Sequence, residues 1–277
     1  MCAKDHDIVA AVGRDSRTVL TERGRPPDLI VAYGDGPDDV ADVRLPPQVG
    51  TGTPATLVLF LHGGFWRDAW DRAHTGPLAT ALSEHGLVVA TPEYRRVGPR
   101  GVPVGWPDTF DDVRSAVRLL PGRVAERAGV EVDRLVLAGH SAGGHLALWA
   151  AGELERAPYR TVALAPVADL RAAYDLDLDG GAVAALLGGG PADVADRYAA
   201  ADPMARLPIG GRTVLVHGDR DAQVPSDLSR RYELAARAAG DDVTLAYLSE
   251  IDHFQVIDPR SPAWPHVLAA FIDEPSR

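Results

Sequence analysis

A chain of 277 residues, 46% hydrophobic and 24% charged, has the composition of an ordinary globular protein, which rules out global disorder and a collagen-like repeat. Its 28 Lys and Arg against 39 Asp and Glu leave a formal net charge of −11, which argues against a nucleic-acid or anionic-membrane partner. One cysteine, Cys2, excludes an intramolecular disulfide framework and a cysteine-built metal site.

In chain order, residues 1–27 show little periodicity and read as an N-terminal extension closed by Arg25-Pro26-Pro27. Their longest apolar run, 8–12, is too short and too closely flanked by charge for a signal-peptide core. No window reaches the length that spans a bilayer, so a soluble, cytoplasmic protein is expected. Residues 28–277 read as one domain. Around Gly34-Asp35-Gly36, residues 28–33 and 39–45 have the pattern of an antiparallel hairpin at a sheet edge. Short apolar runs follow at 57–61, 87–90, 134–138, 161–165, 213–216 and 243–248. Continuous runs of that length, bounded by turn residues, suit strands buried on both faces. Between them, 110–120 carries Phe110, Val113, Val117 and Leu120 on one helical stripe. Residues 142–151 and 226–239 also read as helices, the second stopped by Gly240. Strand alternating with helix predicts an α/β domain with a mostly parallel sheet of about eight strands, covered on both faces. Residues 170–208, with Gly180-Gly181 and Gly188-Gly189-Gly190, are too long for one crossover helix. They read as a small helical lid inserted over the C-terminal edge of the sheet.

Chemistry concentrates where one strand meets a helix. Gly139-His140-Ser141-Ala142-Gly143 follows the run at 134–138 and precedes the helix at 142–151. A nucleophile on so tight a strand-to-helix turn sits in a strained conformation that tolerates only small neighbours. The starting helix also aims free N–H groups, that of Ala142 in particular, at a developing oxyanion. His62-Gly63-Gly64-Phe65-Trp66 ends an earlier strand, and its two glycines let backbone N–H groups turn toward a ligand. Ser141 then needs a base, and the base an orienting acid. His253 follows the last strand, where a loop can swing back over the turn. Asp221, past the run at 213–216 and four residues before Pro225, is the acid. Asp219 is expected to bind its own turn, and Asp252 diverges from its neighbour His253. His217 is a turn or supporting residue, His62 braces the glycine loop, and His140 and His145 point away from the Ser141 hydroxyl. His6, His74, His85 and His266 are expected to face solvent. The order Ser141, Asp221, His253 is that of the α/β-hydrolase architecture.

Over residues 28–272 the sequence resembles the α/β-hydrolase superfamily. His62-Gly63-Gly64-Phe65-Trp66, Gly139-His140-Ser141-Ala142-Gly143 and Asp252-His253-Phe254 together resemble kynurenine formamidases and their esterase-like relatives. Glu93-Tyr94-Arg95-Arg96 is similar to the Tyr-Arg element of hormone-sensitive-lipase-like esterases. The resemblance implies Ser141 as nucleophile, His253 as base, Asp221 as acid, and Gly63, Gly64 and Ala142 as oxyanion donors. It implies a hydrolase acting on a small ester or amide, an aryl formamide or an aromatic or short-chain ester. Phe65, Trp66 and Trp70 are expected to form aromatic walls, with Leu187 closing the pocket from the lid. No dinucleotide fingerprint, phosphate loop or metal spacing appears, so neither cofactor nor metal is expected. An acyltransferase or lactone-forming enzyme on the same triad is the alternative, with a non-catalytic binding protein behind it. Monomer and homodimer both stay open.

Overall fold

The computed structural model describes residues 15–98 and 105–272. Among these, eight strands form one sheet: β1 (Leu29–Ala32), β2 (Val40–Arg44), β3 (Pro54–Leu61), β4 (Val88–Pro92), β5 (Glu131–His140), β6 (Arg160–Leu164), β7 (Arg212–Gly218) and β8 (Asp242–Leu248). Their order is β1-β2-β4-β3-β5-β6-β7-β8. The β1–β2 hairpin sits at one edge, β2 also pairs antiparallel with β4, and all other neighbours run parallel. Side chains alternate along β3, so Leu57, Leu59 and Leu61 enter one core and Val58 and Phe60 the other. Each of these five is at most 1% exposed, and burying such a side chain contributes roughly 2 kcal/mol.

Helices α1 (Gly76–Glu84), α2 (Asp108–Ala128), α3 (Ala142–Ala151), α4 (Leu170–Asp175), α5 (Ala182–Leu187), α6 (Ala195–Ala201), α7 (Asp227–Ala239) and α8 (Trp264–Phe271) complete the two outer layers. Leu120 and Val124 of α2, Leu146 of α3 and Tyr232 of α7 pack on the Leu59 side; Leu82 of α1 and Phe271 of α8 pack on the Phe60 side. The α/β-hydrolase fold expected from sequence is present. Helix α2 outruns its predicted end, continuing past Pro121 to a left-handed cap at Gly129. Burial of Val124 on the stripe begun by Phe110 outweighs the hydrogen bond Pro121 removes. Among the described residues no helix is long and apolar enough to cross a membrane.

Residues 170–208 form α4, α5, α6 and a 3-10 turn, Pro203–Arg206. The insertion is fastened rather than free. The Trp149 indole N–H of α3 donates to the Ala200 carbonyl (2.9 Å), and His145 Nε2 to that of Ala201 (3.0 Å). Leu187, expected to close over the pocket, is 0% exposed and, with its neighbour Leu186 at 1%, belongs to the core. All six residues of α5 are apolar, and the helix turns Ala182, Val183, Leu186 and Leu187 into the core, leaving the small Ala184 and Ala185 outward.

Residues 15–24, ahead of Arg25-Pro26-Pro27, pack on the domain. A 3-10 turn, Ser16–Leu20, is capped by Asp15 and buries Val19 completely against the Phe60 side of the sheet. Arg25 N–H donates to Thr80 Oγ1 (2.9 Å), and Gly24 lies so close to α1 that a Cβ would meet the Gly76 carbonyl oxygen at 2.1 Å.

Candidate active site

Four parallel strands, β3, β5, β7 and β8, deliver their C-terminal ends to one rim, where ligands of open α/β sheets bind. At the end of β5, Ser141 stands at φ 56°, ψ −118°, and α3 begins with the next residue. That strained turn explains its glycines. A Cβ on Gly143 would lie 2.1 Å from the Leu61 carbonyl oxygen, and one on Gly139 would lie 2.2 Å from that of Gly143. The first turn of α3 leaves backbone N–H groups without intrahelical partners, beginning with Ala142.

Beyond β3 the chain turns sharply, with positive φ at Gly64 (115°), Phe65 (49°) and Trp66 (57°). The loop abuts the serine, because a Cβ on Gly63 would sit 3.1 Å from Ser141 Cβ. It is held from behind. His62 places Nδ1 on the Gly63 carbonyl (2.9 Å) and Nε2 on Glu93 Oε1 (2.8 Å), and the Tyr94 hydroxyl donates to the His62 carbonyl (2.7 Å). Glu93 also accepts from the Arg72 N–H (3.1 Å) and pairs with Arg96 (3.1 Å). Burial alone would raise the Glu93 carboxyl, but His62, Arg96 and the Arg72 amide pull it down to about 2 from an ordinary 4.5.

A carboxyl depressed on folding stabilises the fold above its unfolded pKa, here about pH 4.5, and that stability is lost as pH falls through about 2. Glu93→Gln should therefore cost about 3 kcal/mol at pH 7, with a gap from wild type that narrows below pH 4.5. Urea unfolding at pH 7 and pH 3 checks this. An equal penalty at both values contradicts the ion-pair origin.

His253, on the loop after β8, directs Nδ1–H to Asp221 Oδ2 at 2.6 Å. Asp221 Oδ1 accepts from the Gln223 and Val224 N–H groups (2.9 and 2.8 Å). Its Oδ2 also receives His217 Nε2–H (3.0 Å), and the Ser229 hydroxyl donates to His217 Nδ1 (2.7 Å). Burial opposes ionisation, yet the two imidazoles hold the Asp221 carboxyl well below the usual range. His140, immediately before the serine, sets its ring 4.5 Å from that of His253 at a tilt of 45° and donates from Nε2 to the His253 carbonyl (2.9 Å). Burial and the neighbouring His253 keep the His140 imidazole well below its ordinary value, hence neutral.

Ser141 and His253 face one cavity of about 350 Å³, which Gly64, Phe65 and Trp70 also line. The structure thus brings together Ser141, Asp221 and His253, with Gly63, Gly64 and Ala142 around the serine. Trp66 does not join them. It is 1% exposed and packs edge-on against His145 in the core, 5.2 Å between ring centres, because φ turns positive at Phe65 and again at Trp66. Leu187, buried as described above, is likewise absent from the cavity wall. His74, expected in solvent, is 6% exposed and lines the cavity; burial pushes its imidazole down to about 4. His140 also lines the wall, with its Nε2 on the His253 carbonyl. His6 lies outside the described residues. Asp219 binds not its own turn but the neighbouring loop, accepting from the Glu250 N–H (2.7 Å) and the Ser249 hydroxyl (3.1 Å). Asp252 turns onto the Phe254 and Gln255 amides and leaves its neighbour His253 to Asp221.

Several wall residues escape the sequence reading: Arg17, Leu20 and Thr21 of the N-terminal segment, Asp179 of the insertion, Gln223 and Phe254. Only Phe254, adjoining His253, carries a signal that could have found it. No group of three or more His, Cys, Asp or Glu among the described residues could hold a metal ion.

The BD-FAE family model matches residues 41–235. The chain belongs to the BD-FAE family. This BD-FAE protein is 34% identical to the kynurenine formamidase of Salmo salar over 119 residues, 43% of this chain and 36% of that one. Against esterase LipQ of Mycobacterium tuberculosis it is 27% identical over 230 residues, 76% of this chain and 52% of the other. It spans about a third of the first relative's length and about half of the second's. Esterase B from Lactobacillus rhamnosis shares the fold, with a TM-score of 0.73 at 19% identity, covering 91% of this chain and 88% of that structure.

Proposed function

We propose that this BD-FAE protein is a serine hydrolase that cleaves a small ester or amide through an acyl-enzyme. One observation carries the reading: a strained Ser141 shares a cavity with His253, whose far nitrogen is tied to a buried Asp221. With Nδ1–H committed to Asp221, the lone pair of His253 lies on Nε2, where it takes the Ser141 proton as Oγ adds to the carbonyl carbon. Negative charge on the former carbonyl oxygen is met by N–H groups of Gly64 and Ala142, with Gly63 or Phe65 beside them, held rigid before reaction. His253 returns the proton to the departing oxygen or nitrogen as the carbonyl bond to it breaks. Water then adds to the acyl carbon, giving its proton to His253, and the acid and Ser141 are released.

The cavity lies near the lower end of the range for small-molecule sites, roughly 300–1,000 Å³, which favours a compact substrate. Phe65 and Trp70 offer aromatic faces to a flat acyl or leaving group. The named activities of the relatives, formamidase and esterase, suggest an aryl formamide or an aromatic or short-chain ester. Comparing N-formylkynurenine with 4-nitrophenyl acetate tests this. Saturable turnover of at least one, giving acid in step with leaving group, is expected. Turnover of neither, or transfer to an added alcohol in preference to water, contradicts hydrolysis.

A further inference from the structure

Resting on the hydrolase reading above, we infer that the natural substrate carries an anionic group, a carboxylate or its equivalent, on its leaving portion, and that Arg17 recognises it. The N-terminal segment that bears Arg17 is a built wall of the site. Its 3-10 turn is capped by Asp15, pinned by the fully buried Val19, and tied beyond the turn by the Glu22–Arg260 ion pair and by Arg25 on Thr80. Arg17, Leu20 and Thr21 consequently face the same cavity as Ser141.

Position decides which end of the substrate Arg17 meets. The leaving group departs toward His253, which must protonate it. The Phe254 ring stands 5.3 Å from that of His253, and the Arg17 guanidinium lies 5.7 Å from the Phe254 centroid. Arg17 therefore extends the wall on the base side, two ring steps from the reacting atoms, within cation–π range of Phe254.

Charge supplies the second argument. Asp179, an acidic residue in the cavity wall, is occupied by Arg67, whose Nε reaches its Oδ2 at 2.5 Å and whose Nη2 donates to its main-chain carbonyl at 2.6 Å. His74 and His140 are both held neutral by burial. Asp221 spends its charge on two imidazoles. Among the described residues Arg17 makes no ion pair; the Asp15 carboxylate beside it accepts from its main-chain N–H instead. Among the described residues that line the cavity, Arg17 thus carries the one formal charge without an ion-pair partner, and it is positive. A leaving-group carboxylate meets a planar fork of donors there, while the apolar body rests on Leu20 and Phe254.

The test compares 3-acetoxybenzoate with its neutral isostere 3-acetoxybenzamide, following phenol release. Arg17 is solvent-exposed, so a moderate effect is expected: Arg17→Gln should lower the carboxylate-to-amide ratio of kcat/KM about five- to tenfold, mainly through KM. Arg17→Glu should lower it further, and Arg17→Lys should restore part of it. Taking ratios cancels the intrinsic reactivity of the two esters and any shared loss of active protein. Wild-type turnover of both esters with a ratio that none of the three variants moves overturns the inference and leaves the hydrolase reading intact. Failure of the wild type to cleave either ester, together with no fluorophosphonate adduct at Ser141, overturns both.

Discussion

Replacing Ser141 by alanine should lower turnover of 4-nitrophenyl acetate by three or more orders of magnitude while leaving thermal stability near wild type. The two halves of that result have separate causes. Turnover collapses because only the hydroxyl can form the covalent ester, and water placed by the remaining donors is a poor substitute. Stability holds because the turn is fixed by main-chain bonds, Ser141 N–H to Leu164 O (2.8 Å) and Val167 N–H to Ser141 O (3.2 Å), which alanine retains. Alanine also accepts the positive φ at about the same cost as serine. A kcat within tenfold of wild type would falsify the nucleophile assignment.

Asp221→Asn should be nearly as damaging to turnover, by about three to four orders of magnitude, although the side chain keeps its shape. In the native site every hydrogen bond to Asp221 is one it accepts: two main-chain N–H groups on Oδ1 and two imidazole N–H groups on Oδ2. Asparagine has only one acceptor oxygen, so its amide must face donors on one side or the other. Turned toward the amides, the NH₂ confronts Gln223 and Val224. Turned toward the imidazoles, it drives His253 to carry its proton on Nε2, which removes the lone pair that Ser141 needs. A stability loss of about 2 kcal/mol should accompany either choice. Kinetics and thermal melts of the purified variant measure both. Retention of a tenth of wild-type turnover argues that His253 is oriented by something other than Asp221.

Much of this site is legible in the sequence because strand ends and small residues mark it. Gly139 and Gly143 flank Ser141 for steric reasons that any reader of strand-turn-helix patterns can supply, and Asp221 and His253 each follow a run that became a parallel strand. What stayed hidden depends on how turns and short helices pack. Trp66 and Phe65 are neighbours in sequence, but two successive positive φ values send one into the core and the other to the cavity. Leu187 looks like a lid residue because every residue of α5 is apolar and nothing in its pattern says which side is buried; packing turns Leu187 into the core and leaves Ala184 and Ala185 outward. His74 sits in a polar-looking stretch, yet a 3-10 turn tucks it under Trp70 and beside His62. Arg17 and Leu20 are anchored by one buried valine, too little pattern to register as periodicity. The Glu93 and Tyr94 brace behind the glycine loop comes from residues more than 25 positions away, a link that only the pairing of β3 with β4 creates.

The most direct test is covalent. Incubation of the wild-type protein with a fluorophosphonate, followed by intact mass and peptide mapping, should give one adduct per chain, located on Ser141 and strongly slowed in the Asp221→Asn variant. A folded protein that stays unlabelled, or that carries the phosphonyl group on another residue, contradicts the claim that this turn presents an activated serine.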